Sequence, residues 1–285
     1  MMQRAHLTAW QSLAPWPKAS QREQDLRISR SVAAIFRDPL LQEHLAMRGG
    51  TVLHKAHLAP AARYSSDIDL VLTQPLTPKE LDRRLRHVLT GVAGTPADSV
   101  VDSAWLTLRN VLRPSKLLRT KYHYVPMGLR LPEELKVEVN LNEHASLYPL
   151  VNVEMATLDD EGVPTRCAVR SYDIDEMLGT KTRALVQRRQ GRDLFDLWHA
   201  WQLSSAGTSA HPVNPVRAMH AFNWYLEREG VKLNRAAVET IVDTHLEDKA
   251  FCADMDTLLR PGFGGYDAHA AAALVKEVYF VHLAG

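Results

Sequence analysis

The segment Asp67-Ile68-Asp69-Leu70-Val71-Leu72 constrains this chain more than any other. Ile68, Leu70 and Leu72 alternate with Asp67 and Asp69. That period of two belongs to a strand, with the apolar set on one face and both aspartates on the other. Two carboxylates side by side on a strand repel unless a cation lies between them. Hard divalent ions take carboxylate and phosphate oxygens together, so Asp-x-Asp on a strand suits a metal–triphosphate site. A solvated edge strand can carry the same pattern, and the motif needs company to mean more.

Company exists on both sides. Upstream, Gly49-Gly50-Thr51 forms a turn whose glycines let backbone N–H groups approach an anion, with the threonine hydroxyl as an added donor. Downstream, Val137, Val139 and Leu141 alternate with Lys136, Glu138 and Asn140 on a further strand-like run over 135–142. Glu138 is thus a third carboxylate that could complete a two-metal site or accept the proton of an attacking hydroxyl.

The rest of the chain reads as strands and helices first, helices afterwards. Ser20 and Glu23 have capping-box spacing ahead of Ile28, Val32, Ile35 and Phe36 at helical intervals. A second helix is predicted over about 39–47, broken by Arg48-Gly49-Gly50-Thr51, and a third begins at Thr77-Pro78. Strand-like runs cover about 99–112, 118–126 and 135–142. After about residue 170 the pattern is helical. Asp173 and Glu176 have capping-box spacing, a helix continues through Arg189, and further helices occupy about 192–204, 213–229, 234–259 and 267–283. The layout is α+β: a catalytic domain over 1–170, then an α-helical domain over 171–285.

Two basic runs stand out in a chain that is otherwise balanced. Lys181, Arg183, Arg188, Arg189 and Arg192 fall within twelve positions without an acid. Read as one helix, Lys181, Arg188 and Arg192 share nearly one face, with Asp196 four further along; such a row could hold a triphosphate tail. Arg109, Arg113, Lys116, Arg119 and Lys121, with Tyr122 and Tyr124 adjacent, could grip a single-stranded RNA end or simply keep a strand soluble. With 34 basic and 33 acidic residues, net +1, any polyanion must be recognised by such local patches. The two cysteines, Cys167 and Cys252, are far apart, as in a reduced cytosolic protein, and the 13 histidines show no zinc spacing. Neither a signal peptide nor an apolar run of spanning length is visible, so a cytoplasmic protein without a membrane segment is expected.

Gly50-Thr51 followed by Arg63-x-Ser65-x-Asp67-Ile68-Asp69-Leu70 resembles the signature of the DNA polymerase β-like nucleotidyltransferase superfamily. More narrowly, the chain resembles the AbiEii/AbiGii toxin family, which includes the MenT toxins. The blocks that carry this are Gly49-Gly50-Thr51-Val52-Leu53-His54-Lys55, the Asp67/Asp69 block, Lys136-Val137-Glu138-Val139-Asn140, and Lys181 to Arg188 followed by Arg192-Asp193-Leu194-Phe195-Asp196-Leu197. The resemblance implies a mixed sheet flanked by helices, then a helical C-terminal domain that contributes phosphate-binding residues. It implies Asp67, Asp69 and Glu138 as ligands of Mg²⁺, as two ions, and as catalytic residues with Lys181 and Asp196. It implies nucleotide contacts from Gly50, Thr51, Lys55, Arg63, Ser65, Ser66, Lys181, Arg188, Arg192 and Asp193; whether Asp193 or Asp196 is the functional acid stays open. The implied reaction moves NMP from an NTP to an RNA acceptor, first the tRNA 3′ end, and blocks translation. Such a toxin belongs to a toxin–antitoxin or phage-defence pair, with a cognate antitoxin as partner. Nucleotidylation of a small-molecule or protein hydroxyl, or an inactive scaffold that only binds, are the alternatives.

Overall fold

The computed structural model describes residues 2–102, 105–106, 112–113 and 117–285. The chain divides into two compact units, the first built mainly from the chain up to Tyr172 and the second containing Leu147–Pro149 and Asp173–Gly285.

The first unit begins with helices α1 (Arg4–Trp10), α2 (Ala19–Arg37) and α3 (Pro39–His44). Strand β1 (Leu45–Arg48) runs straight into a short helix α4 (Gly49–Val52), which continues as a π-helical turn over Leu53–His57. Then come β2 (Asp67–Leu72), α5 (Pro78–Leu89), β3 (Thr95–Pro96) and β4 (Val100–Asp102). The two-residue strands β5 (Trp105–Leu106) and β6 (Leu112–Arg113), of which Leu106 and Leu112 belong to the second unit, pair with each other outside the main sheet. The long strands β7 (Leu117–Tyr124), β8 (Glu133–Asn140), β9 (Val151–Leu158) and β10 (Pro164–Ser171) complete it. The main sheet has the order β3-β7-β8-β2-β1-β10-β9, with β4 also on β7. It is mixed: β2 is parallel to β8 and β1 to β10, while β1–β2, β7–β8 and β9–β10 are antiparallel. Its apolar face, with Ile68, Leu70, Val137, Val139, Met155 and Val169, is buried, and α2 packs on β9 and β10. The second unit is helical: α6 (Ile174–Gln187), α7 (Gly191–Ser205), α8 (Pro215–Arg228), α9 (Arg235–Leu246), α10 (Lys249–Cys252) and α11 (Ala268–Val278), with α6 packed on α7 and α8.

The α+β expectation, a mixed sheet with helices and a helical C-terminal region, holds. Several elements differ. The helix over 39–47 stops at His44, because Leu45–Met47 pair with β2 as a buried inner strand. Ser20 and Glu23 do not cap α2. The Lys18 N–H donates to Gln21 Oε1 (3.3 Å), while Glu23 is buried against Arg27 (2.8 Å) and the Met127 N–H (2.7 Å). Asp173 caps α6, accepting from the Asp175 N–H at 2.9 Å. Glu176 does not reach back. It accepts instead from the Leu147 and Tyr148 N–H groups (both 2.9 Å) and the Tyr225 hydroxyl (2.8 Å), and burial pushes its pKa up from the ordinary 4.5. The helix through Arg189 breaks at Arg188, which is extended (φ −137°, ψ 147°). A Cβ on Gly191 would lie 2.2 Å from the Phe251 carbonyl oxygen, so α7 starts where only glycine fits.

Candidate active site

Strand register builds the acidic face. Asp69 pairs with Glu138 and Asp67 with Lys136 across the parallel β2–β8 ladder. Antiparallel pairing adds Arg48 of β1 opposite Asp69 and Arg119 of β7 opposite Glu138. One row therefore reads Arg48-Asp69-Glu138-Arg119 across four adjacent strands, which lie about 4.8 Å apart in a sheet. Two carboxylates from β2 and a third, remote in sequence, from β8 share a face, and three cations accompany them. Lys136 Nζ lies 3.1 Å from Asp67 Oδ2 and 3.5 Å from Glu138 Oε1, and Arg119 Nε donates to Glu138 Oε1 at 2.6 Å. Desolvation works against the Lys136 charge, but Asp67, Glu138 and Asp69 outweigh it and hold the ammonium above its ordinary pKa.

The Gly49-Gly50-Thr51 turn closes over this face. It is the first turn of a helix, where the sequence pattern predicted only a break. Gly49 has φ +87°, and a Cβ there would sit 2.2 Å from Asp69 Oδ2. At Gly50 a Cβ would meet Arg63 Nη2 at 2.5 Å and Ser65 Oγ at 3.2 Å. Gly49 is thus required both by its backbone and by the close approach of Asp69, while at Gly50 a side chain would have to displace the end of Arg63. Thr51 is fully buried. Its hydroxyl donates to the Asp67 carbonyl oxygen at 2.6 Å and lies 2.8 Å from Ser65 Oγ, so it pins the turn to the start of β2. Arg63 is buried, donating to the Tyr64 carbonyl at 3.1 Å, and Ser66 Oγ lies 3.4 Å from Asp67 Oδ1.

The donor set, hard carboxylate oxygens in register on neighbouring strands, fits a divalent ion, and the Lys136 ammonium lies between two of these acids as a stand-in cation. As the side chains lie, no cluster of three or more His, Cys, Asp or Glu among the described residues is arranged to hold a metal. The carboxylate of Glu138 is engaged by Arg119 and Lys136 instead.

Lys55, expected on nucleotide, has another partner. Its ammonium is bound by Asp25 at 2.6 Å, the carboxylate buried and the lysine side chain only slightly exposed. In the second unit, Lys181 is buried between Asp193 Oδ1 (3.2 Å) and Asp196 Oδ2 (2.7 Å), two carboxylates with no exposure. Arg188 completes this group with two hydrogen bonds to Asp193 (2.8 and 3.0 Å). The single row of cations expected along one helix is not formed. The run straddles the α6–α7 break, Arg192 pairs with Asp254 at 3.0 Å, Arg183 with Glu229 at 3.3 Å and Arg189 with Asp248 at 3.5 Å. In the other basic run Tyr122 and Tyr124 are buried, so neither ring is a stacking surface for bases. Arg109 and Lys116 lie outside the described residues. Sequence reasoning missed Arg48, Arg119 as a partner of Glu138, and Asp25; only the strand pairing and the fold bring them in.

A Gly-Gly-Thr turn seated on an Asp-x-Asp strand, with a third acid on the next strand, is the candidate site, and its hard oxygen donors suit chemistry on a metal-bound phosphate. Residues 30–276 match the family described as nucleotidyl transferase AbiEii toxin of type IV toxin–antitoxin systems, and the chain belongs to that family. It is a nucleotidyltransferase toxin of that class, which implies an NTP substrate and an antitoxin partner. Among solved structures, it is similar to MenT4, a nucleotidyltransferase toxin from Mycobacterium tuberculosis H37Rv, with a TM-score of 0.62, 16% identity, and coverage of 99% of this chain and 90% of that one. It is also similar to JHP933 from Helicobacter pylori, with a TM-score of 0.50, 16% identity, and coverage of 89% and 88%. At that identity the likeness is one of fold. No curated protein matches the chain. No helix among the described residues is long and apolar enough to cross a membrane.

Proposed function

We propose that this chain transfers NMP from an NTP to a hydroxyl of an RNA acceptor in the cytoplasm, the tRNA 3′ end being the first acceptor to test, and thereby blocks translation. The observation that carries the chemistry is the register placing Glu138 beside Asp69, with Asp67 on the same face and the Gly49 turn against Asp69. Asp67, Asp69 and Glu138 would hold Mg²⁺, as one ion or two, which when bound neutralises phosphate oxygens and lowers the pKa of the acceptor hydroxyl.

The chain's own residues do the positioning. The turn at Gly49 and Gly50 lets a phosphate approach the backbone, and Arg63 and Ser65 beneath it supply a charge and a hydroxyl. Lys136 yields its place between Asp67 and Glu138 and keeps its charge near the transferred phosphoryl. Lys181, fixed by Asp193 and Asp196, is a positioned ammonium suited to a phosphate oxygen. In this reading both acids act on Lys181, and Arg188 serves Asp193. The acceptor oxygen attacks the α-phosphorus, its proton passes to a carboxylate of the acidic face, and the bond to pyrophosphate breaks.

The test is incubation of the protein with Mg²⁺, total tRNA and each α-labelled NTP in turn. Label in tRNA from one NTP is the expected result. Label in protein or in a small molecule moves the acceptor to that class, and no transfer to any acceptor overturns the reading.

A further inference from the structure

Asp25 is buried on α2, yet its carboxylate is among the most heavily engaged in the first unit. Oδ1 accepts from Trp10 Nε1 at 2.7 Å and from Lys55 Nζ at 2.6 Å, and Oδ2 accepts from Trp16 Nε1 at 2.9 Å. The Lys55 ammonium lies 5.3 Å from the Trp10 ring centroid, and Tyr64, next to Arg63, packs edge-on against Trp16 at 5.5 Å. Lys55 sits in the π-helical turn that directly continues α4, the helix opened by Gly49 and Gly50. π-Turns of this kind are uncommon and concentrate at functional sites. Asp25, Trp10 and Trp16 all lie ahead of residue 30, where the family match begins. Lys55 lies inside it.

We propose that the N-terminal segment is a clamp on the nucleotide turn. Asp25, steadied by two indole N–H donors, holds Lys55, and Lys55 fixes the C-terminal end of the turn whose other end Thr51 pins to β2. Lys55 is then a positioning residue acting through Gly49 and Gly50, and its ammonium need not touch phosphate. A charge pair on a buried carboxylate with both oxygens engaged by fixed donors has little freedom, so the turn is presented to the triphosphate already ordered. This rests on the turn being the triphosphate site.

Direct NTP binding tests the clamp without any acceptor, using a fluorescent NTP titrated with Mg²⁺ into the full chain. Lys55→Met and Asp25→Asn should each raise the Kd at least tenfold. The double variant should be no worse than either single, because both remove one linkage. Lys55→Arg should restore most of the affinity. Trp16→Phe, which keeps the ion pair and the ring, should raise the Kd about threefold and covers the case in which Asp25→Asn fails to fold. Saturating NTP should return kcat to near the wild-type value in all four single variants, a split that a general loss of fold would not give. Wild-type binding with unchanged Kd in the variants, or additive losses in the double variant, overturns the clamp. No binding by the wild type would instead remove the triphosphate site itself.

Discussion

Gly49→Ala asks directly whether the turn rests on the acidic face. The substitution adds one methyl group, and the backbone there has φ +87°, a region that L side chains rarely adopt and that costs about 1 kcal/mol or more. The new Cβ would lie 2.2 Å from Asp69 Oδ2, where ordinary contact begins at 3.4 Å. Either the turn lifts or the Asp69 carboxylate retreats by about an ångström, and overpacking of that kind costs roughly 1–3 kcal/mol. Melting should therefore fall by several degrees, at roughly 2–4 °C per kcal/mol for a unit of this size. The larger effect should be on transfer, since a misplacement of about 1 Å at reacting groups costs on the order of 100-fold in rate. Gly264→Ala is the control, because its Cβ would meet nothing within 4 Å. Thermal melts and initial rates of labelled NMP transfer measure both. If Gly49→Ala keeps kcat within threefold of wild type, the turn is not seated on Asp69 and the account of the site is wrong.

The buried group in the second unit gives a different signature. Lys181→Met leaves Asp193 and Asp196 buried with less counter-charge, so unfolding in denaturant should show a loss of about 3–5 kcal/mol beside a loss of transfer, whereas a surface phosphate ligand would lose activity alone. Glu176 supplies a pH dependence. Its pKa is raised above the ordinary 4.5 by burial, so the neutral form favours the fold, and its contribution is full below 4.5 and is lost as pH rises through the folded-state value. Wild type should lose stability relative to Glu176→Gln as pH rises from 4.5, and a difference independent of pH in parallel melts would contradict the buried assignment.

The acidic face was legible because its signal is local. Alternation in Asp67–Leu72 and in Lys136–Asn140 fixes which side chains share a side, and burial of Ile68, Leu70, Val137 and Val139 follows from the same period. Strand β1 was hidden because Leu45, Ala46 and Met47 are buried on both faces and read as a continuous apolar run, which a helix shows equally well. Strand β9 does alternate, with Val153 and Met155 buried and Asn152 and Glu154 exposed, a local signal of the same kind as that in β2. The partners of the basic residues could not be read at all. Arg192 meets Asp254 and Arg189 meets Asp248, and only the packing of α7 against the later chain decides that these cations are spoken for. Lys55 carries the same lesson, since nothing near it in sequence points to Asp25.

The row Arg48-Asp69-Glu138-Arg119, with Lys136 beside it, has a bearing on how such a chain comes off the ribosome. Crowded acids would ordinarily make sheet assembly depend on whatever divalent ion happened to be present. Guanidinium groups flanking the two acids, with an ammonium beside them, supply counter-charge from within the chain, so the protein should refold in chelator as readily as in millimolar divalent salt, and a refolding yield that depends on the ion would contradict this.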